Sequence, residues 1–301
     1  MDFLTIAARM ILNVHDLNNE ATAGNVSDIR LIDYIDLQGR RREAPAVSGR
    51  MLKHWHLSLF SDLIREAGGE LCSQCLQGEP VRGPVQKDDP KDDVEAAELS
   101  VQRCAACDLH GFLVAEGQRS VRRNSRAMFS WLLPVLDEET ETTQRQVVHT
   151  RVSRQREREQ GEAAAQMLFY KSYASGIYGF VSALDIERIG YVEETQEYVE
   201  GVDREQRAKL AIDAYRHMLT GRIGASQSHA VPHADCLELM VAVSDAGPLP
   251  FPVSPIYPGY VAKYHGIVPE TGRLHVCGVE DVPEGVTAHA SIGDLFDAVT
   301  A

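Results

Sequence analysis

No window of this 301-residue chain approaches the ~18 consecutive apolar residues of a membrane-spanning helix. Residues 1–13 alternate in character and include Asp2 and Arg9, so they lack the apolar core of a secretory signal. A cytoplasmic protein is the expectation. There is no collagen period, short internal repeat or heptad run, which sets aside fibrous and solenoid architectures. The common enzyme signatures are also missing: no G-x-x-x-x-G-K-[ST], no G-x-G-x-x-G after a strand, no H-E-x-x-H and no G-x-S-x-G. Basic residues are in deficit, 30 Lys and Arg against 44 Asp and Glu, a formal net charge of -14. That excess argues against indiscriminate polyanion binding and leaves room for a local basic site.

Six cysteines are present, four of them as two pairs, Cys72-Ser-Gln-Cys75 and Cys104-Ala-Ala-Cys107. In a chain of this length without an export signal, two C-x-x-C pairs read as a zinc knuckle pair rather than disulfides. Four thiolates satisfy tetrahedral zinc and leave no open position, so the site is structural. The 28 residues between the pairs add little closure entropy. His110 could replace one cysteine, and the alternative is four reduced cysteines without metal. Cys236 and Cys277 read as core residues.

Periodicity organises the remainder. Leu4, Ile6, Ala8, Met10, Leu12 and Val14 alternate as a strand, and residues 29–37 suggest a second extended piece. Ser48 is a good N-cap for a helix carrying Leu52, Trp55, Leu59 and Leu63, which Gly68 and Gly69 stop. The acid-rich stretch 79–98 reads as a solvated loop. Trp131 and Phe129 read as core of an inserted region. Residues 167–191 predict one long or two short strands, 204–219 an amphipathic helix, 237–243 a buried strand and 292–299 a short docking helix. The expected organisation is a core of 1–69 and 167–246, an inserted region 70–166, and a C-terminal extension 247–301 packing on the core. The order strand, helix, strands, helix, strand fits an α+β, ferredoxin-like βαββαβ core of the RNA-recognition type.

Ser48-Gly49-Arg50-Met51-Leu52-Lys53-His54 is the sharpest local feature. A helix N-terminus offers free N–H groups and a positive dipole end, Gly49 permits close approach, and Arg50 and Lys53 place two cations along one face where a phosphate backbone could run. The alternative is a capped amphipathic helix with a solvated basic face.

The stretch from Val47 to His56 resembles the signature of the Cas-seven family, DevR branch, the backbone subunit of the CRISPR Cascade complex. Further blocks resemble the same family in the same order: Asn13-Val14, Leu17-Asn18 and Gly24-Asn25; Tyr178 to Ser182, Leu184-Asp185 and Ile189-Gly190; and the loop from Gly221 to Ser228. The paired cysteines and the long acidic and arginine-rich segments depart from it. The resemblance implies an RRM-like palm with inserted finger and thumb elements. It also implies a non-catalytic role: copies stacked in a helical filament along a guide (CRISPR) RNA, holding its backbone and kinking bases out at intervals. Partners would be copies of itself, the RNA, other Cascade subunits and target DNA, with no membrane. On this reading the RNA contacts are Ser48, Gly49, Arg50, Lys53 and His54, with further candidates Asn18, Asn25, Arg126, Arg151, Ser226 and Gln227. The arginines of 119–126 and 151–158 either line the RNA path or form an exposed charged hairpin. One rival reading is the related RNA-targeting branch, whose metal-dependent RNase would use Asp28, or Asp33 as second choice. Another is a zinc-stabilised protein-interaction module.

Overall fold

The computed structural model describes every residue except 18–21, 24–25, 28, 80, 86–88, 117–118, 137–142, 153–165 and 224–233. The chain opens with β1 (Phe3–Asn13) and reaches α1 (Gly49–Glu66) through a hairpin of Leu31–Ile35 and Arg41–Pro45. The helices α2 (Asp93–Arg103) and α3 (Ala105–His110) follow, then the strands β2 (Ala127–Phe129), β3 (Thr143–Val152) and β4 (Gln166–Asp185). After these come α4 (Arg204–Leu219), β5 (Ala234–Ser244), β6 (Gly272–Cys277) and α5 (Ile292–Thr300).

These form an α+β fold on a central mixed sheet. β1 lies between β4 and β5, antiparallel to both, with Ile6 opposite Ser182 on one side and Val241 on the other. β6 extends the sheet beyond β5, and β2 runs antiparallel along the far edge of β4. Joined by α1, β1 and β2 therefore run parallel, with β4 between them. The first half of the 20-residue β4 continues past β1 as an arm that pairs with β3, from Ser175 opposite Thr143 to Gln166 opposite Val152, and in parallel with Val26 and Ser27 at Tyr170 and Lys171.

The period-two pattern of β1 sorts its side chains between two cores. Leu4, Ile6, Ala8, Met10 and Leu12 join Leu239 and Val241 against α1, α4 and α5. Phe3 and Ala7 face the opposite side, where Met240, Tyr260 and Tyr264 cover them. Of the α1 positions expected to face inward, Leu52, Trp55 and Leu59 are buried and Leu63 is partly buried, and in α4 Ala211, Ile212, Tyr215 and Leu219 are buried.

Three expectations need correction. The acid-rich stretch is not all loop, because Asp93–Arg103 is α2. Asp92 caps it, accepting from the Val94 and Glu95 amides at 3.0 Å each, and Ala96, Ala97 and Val101 bury one face. Acids in a first turn favour the helix through its dipole, so the charge that suggested solvation supports the helix start. The inserted region also does not run unbroken to 166: residues 127–129 are part of the central sheet, and β3 pairs with β4. Trp131 is 40% exposed rather than core. Among the described residues, no helix is long and apolar enough to cross a membrane.

Candidate nucleic-acid interface and metal centre

The start of α1 is fixed against β2. Val47 and Leu132 exchange backbone hydrogen bonds of 3.2 and 2.9 Å, so the chain enters the helix from a pinned bridge. Ser48 caps it, its Oγ accepting from the Met51 amide at 3.4 Å. Gly49 has a different cause from the one its sequence context suggests. A Cβ there would lie 2.5 Å from the Phe129 carbonyl oxygen and 2.8 Å from that of Ser130, so glycine is required for the helix to approach the strand. Beyond it the cations point outward. Arg50 and His54 are exposed, Lys53 is half-buried, and none of the three has a hydrogen bond or ion pair among the described residues. Burial, with the charge of Arg82 nearby, pushes the Lys53 ammonium down to about 8.

The other expected RNA contacts do not gather here. Arg126 is 2% exposed and pairs with Glu193 at 2.6 Å, with its guanidinium also donating to the Tyr191 carbonyl. It is a structural tie, not a surface contact, because burial leaves a guanidinium needing a fixed partner. Arg151 lies near the end of β3, opposite Met167. Asn18, Asn25, Ser226, Gln227 and Asp28 lie outside the described residues. Asp33 sits on the exposed hairpin with both carboxylate oxygens taken by Arg41, at 2.8 and 2.6 Å, which holds its carboxyl below the usual carboxylate range.

The four paired cysteines converge. Their Sγ atoms all lie within 4.8 Å of one another, and all four residues are buried. The two knuckles share one local structure. Cys72 occupies the N-cap position of the turn Ser73–Leu76 with Cys75 three positions on, and Cys104 caps α3 with Cys107 three positions on. The Cys107 amide donates to the Cys104 Sγ at 3.3 Å. Cys107 stands 3.8 Å from both Cys72 and Cys75, far beyond a disulfide bond. It matches the ~3.8 Å edge of a tetrahedron with metal–sulfur bonds of ~2.3 Å. Hydrogen bonds within the cluster, those with Cys104 first, hold the Cys72 thiol low and the Cys75 and Cys107 thiols high. A divalent ion held here would take all four as thiolates. His110 does not replace a cysteine. Its ring meets His56, with His110 Nε2 3.1 Å from His56 Nδ1, and His56 Nε2 lies 3.0 Å from the Ala211 carbonyl. The carbonyl must accept, so His56 carries its proton on Nε2 and receives the His110 N–H on Nδ1.

The insert is tied to the core by a group that carries no motif. Asp108 is fully buried. It accepts from Arg123, from Arg207 of α4 at 2.7 Å, and from the Gly190 amide at 3.0 Å on each oxygen. Arg207 also donates to the Val101 and Gln102 carbonyls.

A family model described as "CRISPR-associated negative auto-regulator DevR/Csa2" matches residues 6–265. The chain belongs to the DevR/Csa2 family. Relatives agree across nearly the whole length. The "CRISPR-associated protein Cas7/Cst2/DevR" of Methanocaldococcus jannaschii is 32% identical over 317 aligned positions, covering 99% of this chain and 98% of that protein. The protein of the same description from Thermoproteus tenax is 34% identical, covering 80% and 75%. A "CRISPR-associated aCascade subunit Cas7/Csa2 2" of Saccharolobus solfataricus is 24% identical, covering 96% and 97%. Among solved structures, a chain of a "CRISPR RNA-guided surveillance complex, pre-nicking" superposes with a TM-score of 0.62 at 13% identity over 99% of both chains. A second surveillance-complex chain gives 0.58 at 14%. At these identities the likeness establishes a shared fold.

Proposed function

We propose that this DevR/Csa2 protein is a non-catalytic, guide-RNA-binding backbone subunit of a type I CRISPR effector complex serving antiviral defence in the cytoplasm. The observation that carries the reading is the full-length likeness in fold to chains of RNA-guided surveillance complexes, joined to membership of the family. Copies stack as a filament along the RNA, beside other Cascade subunits, and the assembly meets target DNA. The sheet reads as an RRM-like palm: β1–α1–β2 and β4–α4–β5 are two interleaved crossovers, the split βαβ arrangement, which supports an RNA-recognition core. The β3–β4 arm reads as one of the inserted elements.

RNA bound regardless of sequence calls for contacts to the backbone. The exposed, unpartnered Arg50 and the half-buried Lys53 supply such contacts at a helix start that Ser48 and Gly49 fix against β2. The occupation of both Asp33 oxygens by Arg41 counts against Asp33 as the carboxylate of a metal-dependent RNase. Cys72, Cys75, Cys104 and Cys107 hold a structural zinc.

The test is RNA binding by the purified chain across a salt series. Arg50→Ala with Lys53→Ala weakens every guide sequence about equally and lowers the log–log salt slope by about 0.7 for each phosphate no longer neutralised. An unchanged slope in the double variant would place the interface elsewhere. Weaker binding of one guide sequence only would turn the reading from backbone contact to base readout.

A further inference from the structure

Lys53 has a cationic neighbour from outside its own helix. Arg82 belongs to the cysteine-bearing insert, and its Nε and Nη1 are buried with no hydrogen-bond partner. Among the described residues no carboxylate pairs with Arg82 or with Lys53. The charge of Arg82 contributes, after burial, to the lowering of the Lys53 ammonium. Arg82 lines an open groove of about 260 Å³ together with His54, the chain neighbour of Lys53, and with Ser58, Ser61 and Arg65 of α1. Of the two carboxylates that line it, Asp62 accepts from Arg65 at 2.7 Å and Glu79 is exposed.

The position of Arg82 is held from behind. Gly83, at φ +93°, lies so close to the Phe112 ring that a Cβ would stand 2.6 Å from it, and the Gly83 carbonyl accepts from Arg103 at 3.3 Å. Phe112 packs in the same small core as the four cysteines. A fixed guanidinium with dry, unsatisfied donors beside a second unpaired cation is an arrangement completed by an anion from outside the chain.

We propose that Arg82 and Lys53, with His54 at the mouth of the groove, form a phosphodiester-binding site built jointly by α1 and the cysteine-bearing insert. The occupant is a backbone phosphate of the bound RNA, so the inference rests on the RNA-binding reading above. It goes beyond that reading by giving the insert a direct part in the grip. Arg82 supplies a planar fork to two phosphate oxygens and Lys53 a point charge.

The experiment uses the full chain as purified, with polyuridine as probe, and reads affinity against salt together with metal content. Arg82→Ala is expected to lower the salt slope by about 0.7 and to weaken binding about fivefold at 0.1 M salt from counterion release alone. Arg82→Lys, which keeps the charge, is expected to retain the slope, and metal content stays at the wild-type value in both. If the wild-type chain fails to bind polyuridine, the RNA reading falls and this site falls with it. If the wild type binds and Arg82→Ala binds identically, the site is overturned and the RNA reading stands. If Arg82→Ala loses metal and Arg82→Lys fails to restore the slope, Arg82 supports the cysteine cluster rather than the RNA, and the proposal is likewise overturned.

Discussion

On the helix face of the central sheet, Leu4, Ile6, Met10, Phe180 and Leu239 pack against Trp55, Phe60, Tyr215 and Phe296. In the insert, the core is four cysteines with Ala97, Ala106, Phe112 and Val121. Large apolar side chains each contribute roughly 1.5–3 kcal/mol when fully buried, whereas alanines and thiols contribute far less. The sheet therefore holds itself by burial alone. The insert buries smaller side chains, and the metal proposed for its cysteine cluster would supply what they lack, with Asp108 tying it to Arg207 of α4. The two regions should thus respond differently to metal, to removal of charge and to acid, and each response tests the contrast.

The largest effect is expected from metal. Structural zinc in small Cys-rich modules is worth about 10–16 kcal/mol of apparent binding free energy, which there is folding free energy. Chelation, or Cys104→Ser, should release the insert while leaving the sheet folded. Amide exchange read by mass spectrometry should rise sharply across α2 and α3 and stay slow in β1 and in β4 beside it. Slow exchange in α2 and α3 of protein shown to be metal-free would mean that the insert is stabilised by something other than the thiol cluster.

Charge comes next. Asp108→Ala leaves Arg123 and Arg207 buried without their carboxylate, and breaking a buried pair costs about 3–5 kcal/mol. Denaturant unfolding should show a destabilisation of that size, with exchange rising first where α3 meets α4. A change below about 1 kcal/mol, the range of surface pairs, would show that the surrounding carbonyls suffice for both guanidiniums.

What is legible in the sequence follows the same division. β1, α1 and α4 are legible because each carries its own period, and Ser48 and the glycines after α1 mark its ends locally. The cysteine site is legible because C-x-x-C is itself a local structure, a cap and the third residue of a helical turn. α2 is hidden because its apolar face consists of small residues, so only the charge stands out. Arg126 misleads because an arginine among arginines gives no sign of its own burial or of a partner 67 positions away at Glu193. Asp108 and Arg82 have no sequence signal at all, since their meaning lies in contacts with distant segments. Gly49 signals close approach from its place in the motif, but what approaches is the β2 backbone.

The smallest effect expected lies at the seam between the regions. His110 ends α3 in the insert, His56 lies on α1, and the pair is capped by the Ala211 carbonyl of α4. Both rings are fully buried: burial pushes His56 down to about 3, and burial and the neighbouring cations push His110 well below its ordinary value. The folded protein therefore keeps both imidazoles neutral, while the unfolded chain takes up protons below about pH 6.5. Unfolding then binds protons, so this part of the stability is fully present above about 6.5 and is lost progressively as the pH falls toward 3. The slope is about 1.4 kcal/mol per pH unit for each histidine, at most about 2.7 for the pair. Thiolate protonation adds its own acid dependence, so the measurement is a difference. His56→Gln with His110→Gln should unfold with a shallower pH dependence than the wild type between pH ~7 and ~5, whatever slope the metal site contributes to both. Equal slopes would mean that both rings take up protons within the fold, and the seam would then have to open to water as they do so.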